Sequence, residues 1–179
     1  MPDKLSLPGP WAEFLSELDQ NLSGAVELHC LGGFVLTALH GVPRPTGDID
    51  YIEVIPSSAS AEIEQLAGRD SKLAKKYRVY LQNAGGIPEL PENYHERLID
   101  LPFGFKSLTL KALEPYDLVL SKLRNSPKDR EDIKYLAGKL KLDFRKLIER
   151  YENELKSWIP NSSRHDTTLN VVWREYFSN

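Results

Sequence analysis

The feature that most constrains this chain lies between residues 25 and 55. A short apolar segment runs into a glycine pair, a compact helix, a turn rich in proline and glycine, and a strand that opens Asp48-Ile49-Asp50. Residues 25–31 read as a strand that Gly32-Gly33 breaks, and Phe34 to His40 as an apolar helix closed by Gly41. Val42 to Gly47 is turn chemistry, and Asp48 to Ile55 has the β-branched alternation of a second strand. Strand side chains alternate with a period of two, so Asp48 and Asp50 share a face about 7 Å apart. By the same period Glu53 falls on the opposite face with Ile49 and Tyr51.

Two carboxylates at that spacing suit a hard divalent cation. Mg²⁺ takes oxygen ligands and is commonly held by one or two carboxylates together with substrate phosphates. The same residues also read as a polar turn ahead of an edge strand. A glycine pair between strand and helix leaves backbone N–H groups at the helix start open to phosphate, although many strand-to-helix turns use glycine for geometry alone. Thr46 and Arg44, just before the acidic pair, are candidates to contact phosphate or fix the loop.

The rest of the chain predicts a mixed α+β fold. Trp11, Phe14, Leu15, Leu18 and Leu22 give an amphipathic opening helix. A helix is expected over 57–76, a strand over 78–82, a loop over 87–95, and strands over 96–101 and 107–113. Helices follow at 114–125, 127–140 and 143–157, then a polar loop over 160–168 and an apolar tail, 169–177, whose type the pattern leaves open. Interleaved strands and helices followed by helices alone predict a mixed sheet covered by helices, residues 1–113, with a C-terminal helical part, 114–179, packed on it as one compact unit. Hydrophobic residues at 41% and charged residues at 27% allow a real core without staples.

Composition also narrows function. A net charge of -3 gives no general attraction to nucleic acid, so no DNA partner is expected. The basic runs Lys72, Lys75, Lys76, Arg78 and Lys139, Lys141, Arg145, Lys146 read as solvated helix faces. No leader-like start and no long apolar run appear, which predicts a cytoplasmic protein without membrane attachment. The lone Cys30 reads as a buried, reduced thiol. There is no Walker loop, Rossmann fingerprint, Ser-His-Asp set or His-x₃-His spacing.

A second block, Glu114-Pro115-Tyr116-Asp117-Leu118 through Lys122-Leu123 and then Ser126-Pro127-Lys128-Asp129 to Asp132-Ile133, carries further candidates. Leu113, Tyr116, Leu120 and Leu123 form an apolar stripe, with Lys122 at its margin. There Lys122 could neutralise a polyphosphate or simply extend over its apolar neighbours. Ser126, Pro127 and Asp129 spell a helix start with a capping box. Asp129 also aligns with Ile133, Leu136 and Leu140, which aims it inward, with Lys122 as its natural partner and Asp132 flanking.

Leu31-Gly32-Gly33, a short helix and then Arg44-Pro45-Thr46-Gly47-Asp48-Ile49-Asp50 resemble the signature of the polymerase-β-like nucleotidyltransferase superfamily. The second block resembles bacterial nucleotidyltransferase-like proteins related to type IV toxin-antitoxin toxins of the abortive-infection class. Together the likeness spans roughly residues 25–140. It implies a nucleotidyltransferase-like fold in which Asp48 and Asp50 bind Mg²⁺ or Mn²⁺ and Gly32-Gly33 holds the triphosphate of an NTP. It implies active-site roles for Lys122 and Asp129, with Asp132 second. A third carboxylate is expected in many active members, and Asp100 is the candidate here, although it also reads as a strand-end residue. The implied activity is transfer of a nucleoside monophosphate to a hydroxyl of RNA, such as tRNA, of protein or of a small molecule, with a cognate antitoxin as a partner. The alternative is a module of the same fold that binds nucleotide or a partner without turnover. A metal-dependent phosphohydrolase is a third reading.

Overall fold

The structure, a computed structural model, describes residues 7–43, 46–86 and 88–177. The chain divides into two compact units, Met1–Gly85 with Leu98–Leu113, and Gly86–Arg97 with Glu114–Asn179. The fold is mixed α+β, with a five-stranded sheet flanked by helices and a helical C-terminal part.

In the first unit the chain runs α1 (Trp11–Asn21), β1 (Val26–Leu31), α2 (Gly32–His40), β2 (Asp48–Ile55), α3 (Ser60–Ala67), α4 (Lys72–Tyr77), β3 (Tyr80–Asn83), β4 (Ile99–Leu101) and β5 (Leu108–Ala112). The strand order is β3-β2-β1-β5-β4. β1 pairs antiparallel with β2 and parallel with β5, β2 runs parallel to β3, and β4 pairs antiparallel with β5. The apolar stripe of α1 behaves as its spacing predicts, with Trp11, Phe14, Leu15 and Leu18 all buried. Each such side chain contributes about 1.5–3 kcal/mol of transfer free energy. One sheet face is a core layer. The cross-strand row Val54, Leu28, Leu110 and Leu101 is buried throughout, and Tyr51, Cys30 and Ala112 continue it.

The opposite face carries polar residues, and here the alternation along β2 departs from expectation. Between His29 and Cys30 the register skips, so Glu53 faces His29 while Tyr51 faces Cys30, and Ile52 is the extra residue. A bulge inserts one residue and shifts the alternation beyond it. Glu53 therefore lies on the same face as Asp48 and Asp50, not on the face of Ile49 and Tyr51. Asp50 pairs with Leu31 and Glu53 with His29, two positions apart on β1.

Other local expectations also change. The helix expected over 57–76 breaks at Gly68, where a Cβ would lie 2.5 Å from the Glu64 carbonyl, and restarts at Ser71, whose Oγ accepts the Ala74 N–H. Arg78, in the left-handed region at φ 57°, ends α4, so β3 begins later than predicted, at Tyr80. Of 96–101 only Ile99–Leu101 is strand, because residues 94–97 form a 3₁₀ turn.

In the second unit α5 (Pro115–Leu120) stops early, followed by turns and by Asn125 at φ 59°. Then come α6 (Pro127–Leu140), α7 (Phe144–Glu154) and α8 (Ser162–Thr167). The expected polar loop over 160–168 is thus largely helix. The tail stays helical through Phe177, with Leu169 and Trp173 buried and the Trp173 indole donating to Asn125 Oδ1 at 2.9 Å. No helix among the described residues is long and apolar enough to cross a membrane.

Candidate functional site

At one corner of the sheet unit the end of β1, the start of α2 and the start of β2 converge. Gly32 opens α2 with φ +72°, a conformation that L side chains rarely adopt. A Cβ at that position would also lie 2.6 Å from Asp50 Oδ2. Gly32 is therefore fixed twice, by its backbone conformation and by the carboxylate pressed against its α-carbon. At Gly33 a Cβ would sit 3.3 Å from Thr46 Cγ2, so the second glycine lets the Thr46 loop pack onto the helix start.

The loop itself is anchored on three sides. The Trp11 indole donates to the Thr46 carbonyl at 3.2 Å, and the Tyr80 N–H donates to the Gly47 carbonyl at 3.0 Å. The Thr46 hydroxyl donates to the Asp48 carboxylate in a very short contact. The structure thus brings Gly32, Gly33, Thr46, Asp48 and Asp50 together, with both aspartates partly exposed. Beneath them Cys30 is buried and free, and its thiol pKa is pushed up to about 12, first by burial and then by the charge of Asp50. That holds Cys30 protonated and unreactive at neutral pH. Arg44 lies outside the described residues.

Asp100 does not join this corner. It stands on edge strand β4 opposite Lys111, which pairs with His29, which pairs with Glu53. Strands β1 and β5 separate β4 from β2, a span of roughly 14 Å at ~4.8 Å per strand. The choice of Asp100 as third carboxylate is corrected on that ground. Glu53, though on the correct face, is engaged by His29 Nδ1 at 3.4 Å. Among the described residues no three His, Cys, Asp or Glu side chains gather as a metal cluster. The strand beside the acidic pair carries neutral residues, Tyr80 opposite Asp48 and Gln82 opposite Asp50. Arg69 donates to the Tyr80 hydroxyl at 2.7 Å and lies 4.7 Å from its ring centroid, which brings a cation onto that tyrosine. None of these three was found from the sequence, because their relation to Asp48 and Asp50 exists only through the β2–β3 register.

The chemistry of Asp48 and Asp50 fits a hard divalent cation as two oxygen donors on one strand face, with the remaining positions left to phosphate oxygens and water. Among the described residues no third His, Cys, Asp or Glu gathers with them.

In the helical unit Lys122 is buried and lies 2.9 Å from Asp132 Oδ2 and 3.4 Å from Asp129 Oδ1. Asp132 is the nearer and more deeply buried of the two, with 1% of its side chain exposed against 20% for Asp129. Asp129 completes the capping box, accepting the Ser126 N–H at 2.9 Å and the Ser126 hydroxyl at 2.7 Å. Its helix-start role and its pairing with Lys122 therefore coexist, one on each carboxylate oxygen. Lys122 is thus an ion-paired interior lysine and not one reaching over apolar neighbours.

The same unit holds an ionic network that the sequence did not reveal. Asp117 is fully buried and accepts from Arg97 Nε and Nη2 at 3.0 and 3.1 Å and from Arg150 Nη1 at 3.1 Å. Arg97 also donates to Glu154 at 2.8 and 3.1 Å, and Arg150 contacts Glu114. Burial works against the Arg97 charge, but the hydrogen bonds to Asp117 and Glu154 outweigh it and raise its pKa further. Burial likewise opposes ionisation of Glu154, yet Arg97 holds that carboxyl below its usual range. These acids are matched to arginines and read as structural.

A family described as a nucleotidyltransferase of unknown function (DUF6036) matches residues 12–179 of the chain. No curated protein and no solved structure matches it.

Proposed function

The chain belongs to that nucleotidyltransferase family, and from this premise we propose that it transfers a nucleoside monophosphate from an NTP to an acceptor hydroxyl. The observation that carries the reading is the pairing of Gly32 with Asp50. An acidic side chain packed against a glycine at a helix start brings a cation-binding group and a phosphate-binding group to one place. Asp48 and Asp50 would hold Mg²⁺ or Mn²⁺, which when bound neutralises charge on the reacting and leaving phosphates. The first N–H groups of α2 lack intrahelical partners and would donate to phosphate oxygens. Thr46 fixes Asp48 through its hydroxyl, and Arg69 adds positive charge on the Tyr80 side.

In the proposed step the acceptor oxygen forms a bond to the α-phosphorus as the bond to pyrophosphate breaks. Water takes the hydroxyl proton, since Gln82 occupies the β3 position in register with Asp50. The reading extends to Lys122, Asp129 and Asp132 on the resemblance alone. It also extends to an acceptor on RNA such as tRNA, on protein or on a small molecule, to an antitoxin partner, and to work in the cytoplasm. A second reading, nucleotide binding without turnover, is favoured by the neutral Tyr80 and Gln82 beside the two aspartates.

The test is transfer of label from each of four α-labelled NTPs, with Mg²⁺ or Mn²⁺, to the protein and to an RNA-containing extract. An Asp48→Asn/Asp50→Asn protein serves as control. Adduct formed only with intact aspartates supports the transferase. Metal-dependent binding without adduct supports the second reading, and phosphate release without adduct would point to hydrolysis.

A further inference from the structure

The helical unit contains a cavity of about 200 Å³ with Glu89, Arg124, Asn161, Arg164 and His165 in its lining. That volume has room for a phosphate group with several waters. Glu89 is occupied, since its Oε2 lies 2.6 Å from His165 Nε2. The two arginines have no acidic partner among the described residues. With the carboxylate matched to the imidazole, the charge left facing the cavity is that of two guanidinium groups.

Two further groups point the same way. His165 is 7% exposed, and its second ring nitrogen, Nδ1, is buried without a hydrogen-bond partner. A buried polar nitrogen left unmatched is unfavourable unless a ligand or water satisfies it. Asn161 precedes α8 in the left-handed conformation at φ 59° and makes no capping bond, which leaves its amide available as a donor. Guanidinium groups bind phosphate through paired charge-assisted hydrogen bonds, the strongest neutral-pH recognition these side chains offer.

We infer that this cavity is an anion site for a phosphate group, bound by Arg124 and Arg164 with Asn161 and the Glu89-oriented His165. This inference stands on the helical unit and does not rest on the proposed transferase activity. The phosphate could be free or the terminal monoester of a larger ligand, and the same guanidinium pair would recognise both.

The experiment titrates the full chain with inorganic phosphate and, separately, with adenosine 5′-monophosphate, at constant ionic strength. Binding is followed by calorimetry and by the His165 ring resonances in NMR. Saturable binding that shifts the His165 signals is expected, weakened at least about tenfold in Arg124→Gln and in Arg164→Gln. Both arginines are exposed, so these variants keep the fold. Tighter binding of the monophosphate assigns the site to a phosphomonoester, and equal binding assigns it to the free anion. No saturable binding, unshifted His165 signals, or undiminished affinity in both variants would overturn the assignment.

Discussion

The acids of the sheet corner and those of the helical unit make opposite use of the same chemistry. Asp117 is fully buried and saturated by Arg97 and Arg150, with Glu154 and Glu114 completing the network. Asp48 and Asp50 are partly exposed and lie against a threonine hydroxyl and a glycine α-carbon. A carboxylate enclosed by guanidinium groups has its charge consumed by the fold. One set beside a glycine at a helix start is only partly enclosed by protein. The difference teaches that an acidic side chain is read from what it faces, since residue type alone ranks Asp117 and Asp50 equally.

The largest effect is expected from removing Asp117. Asp117→Ala should destabilise the protein by about 3–5 kcal/mol, because it strands Arg97 and Arg150 without their shared acid. Urea unfolding measures this, and a change below 1 kcal/mol would mean that the network is not structural. At the other pole, Asp48→Asn/Asp50→Asn should leave stability nearly unchanged while label transfer falls by at least about 100-fold. Chelation with EDTA should stop transfer to the same extent. Loss of fold instead of transfer would place these aspartates with the structural acids.

Gly32→Ala sharpens the contrast. The left-handed backbone and the 2.6 Å approach to Asp50 make an alanine there unfavourable by about 1–3 kcal/mol, read again by urea unfolding. Binding of Mn²⁺ should weaken in parallel as the Asp50 carboxylate is displaced. A smaller effect is expected from acid. The folded-state pKa of Glu154 is lowered, so its contribution to stability is full above its unfolded pKa, near 4.5, and is lost as pH falls through the lower folded value. Urea midpoints should therefore drop below about pH 4.5, and Glu154→Gln should flatten that part of the profile.

Much of the corner was legible because it is local. Gly32-Gly33, the short α2 and Asp48-Ile49-Asp50 lie within twenty residues, and period-two alternation places both aspartates on one face. The same period failed for Glu53, because the bulge at Ile52 is set by pairing with β1 and leaves no mark in the composition of β2. Asp100 failed for a related reason. Its segment has strand character, but the order β3-β2-β1-β5-β4 puts two strands between it and the acidic pair. The break at Gly68 to Ser71 was missed because helical periodicity continued on both sides of it.

The mixed α+β class, the glycine turn, the paired aspartates and the capping box of Ser126 and Asp129 are legible along the chain, since each depends on neighbours within a few residues. That Gly32 packs against Asp50, that Gln82 stands in register beside it, that Asp132 is the nearer partner of Lys122 and that Arg97 binds Asp117 emerges only from the folded chain. Those contacts join residues whose separation along the chain is bridged by strand pairing or helix packing. Their energies depend on burial and distance, which no local pattern encodes.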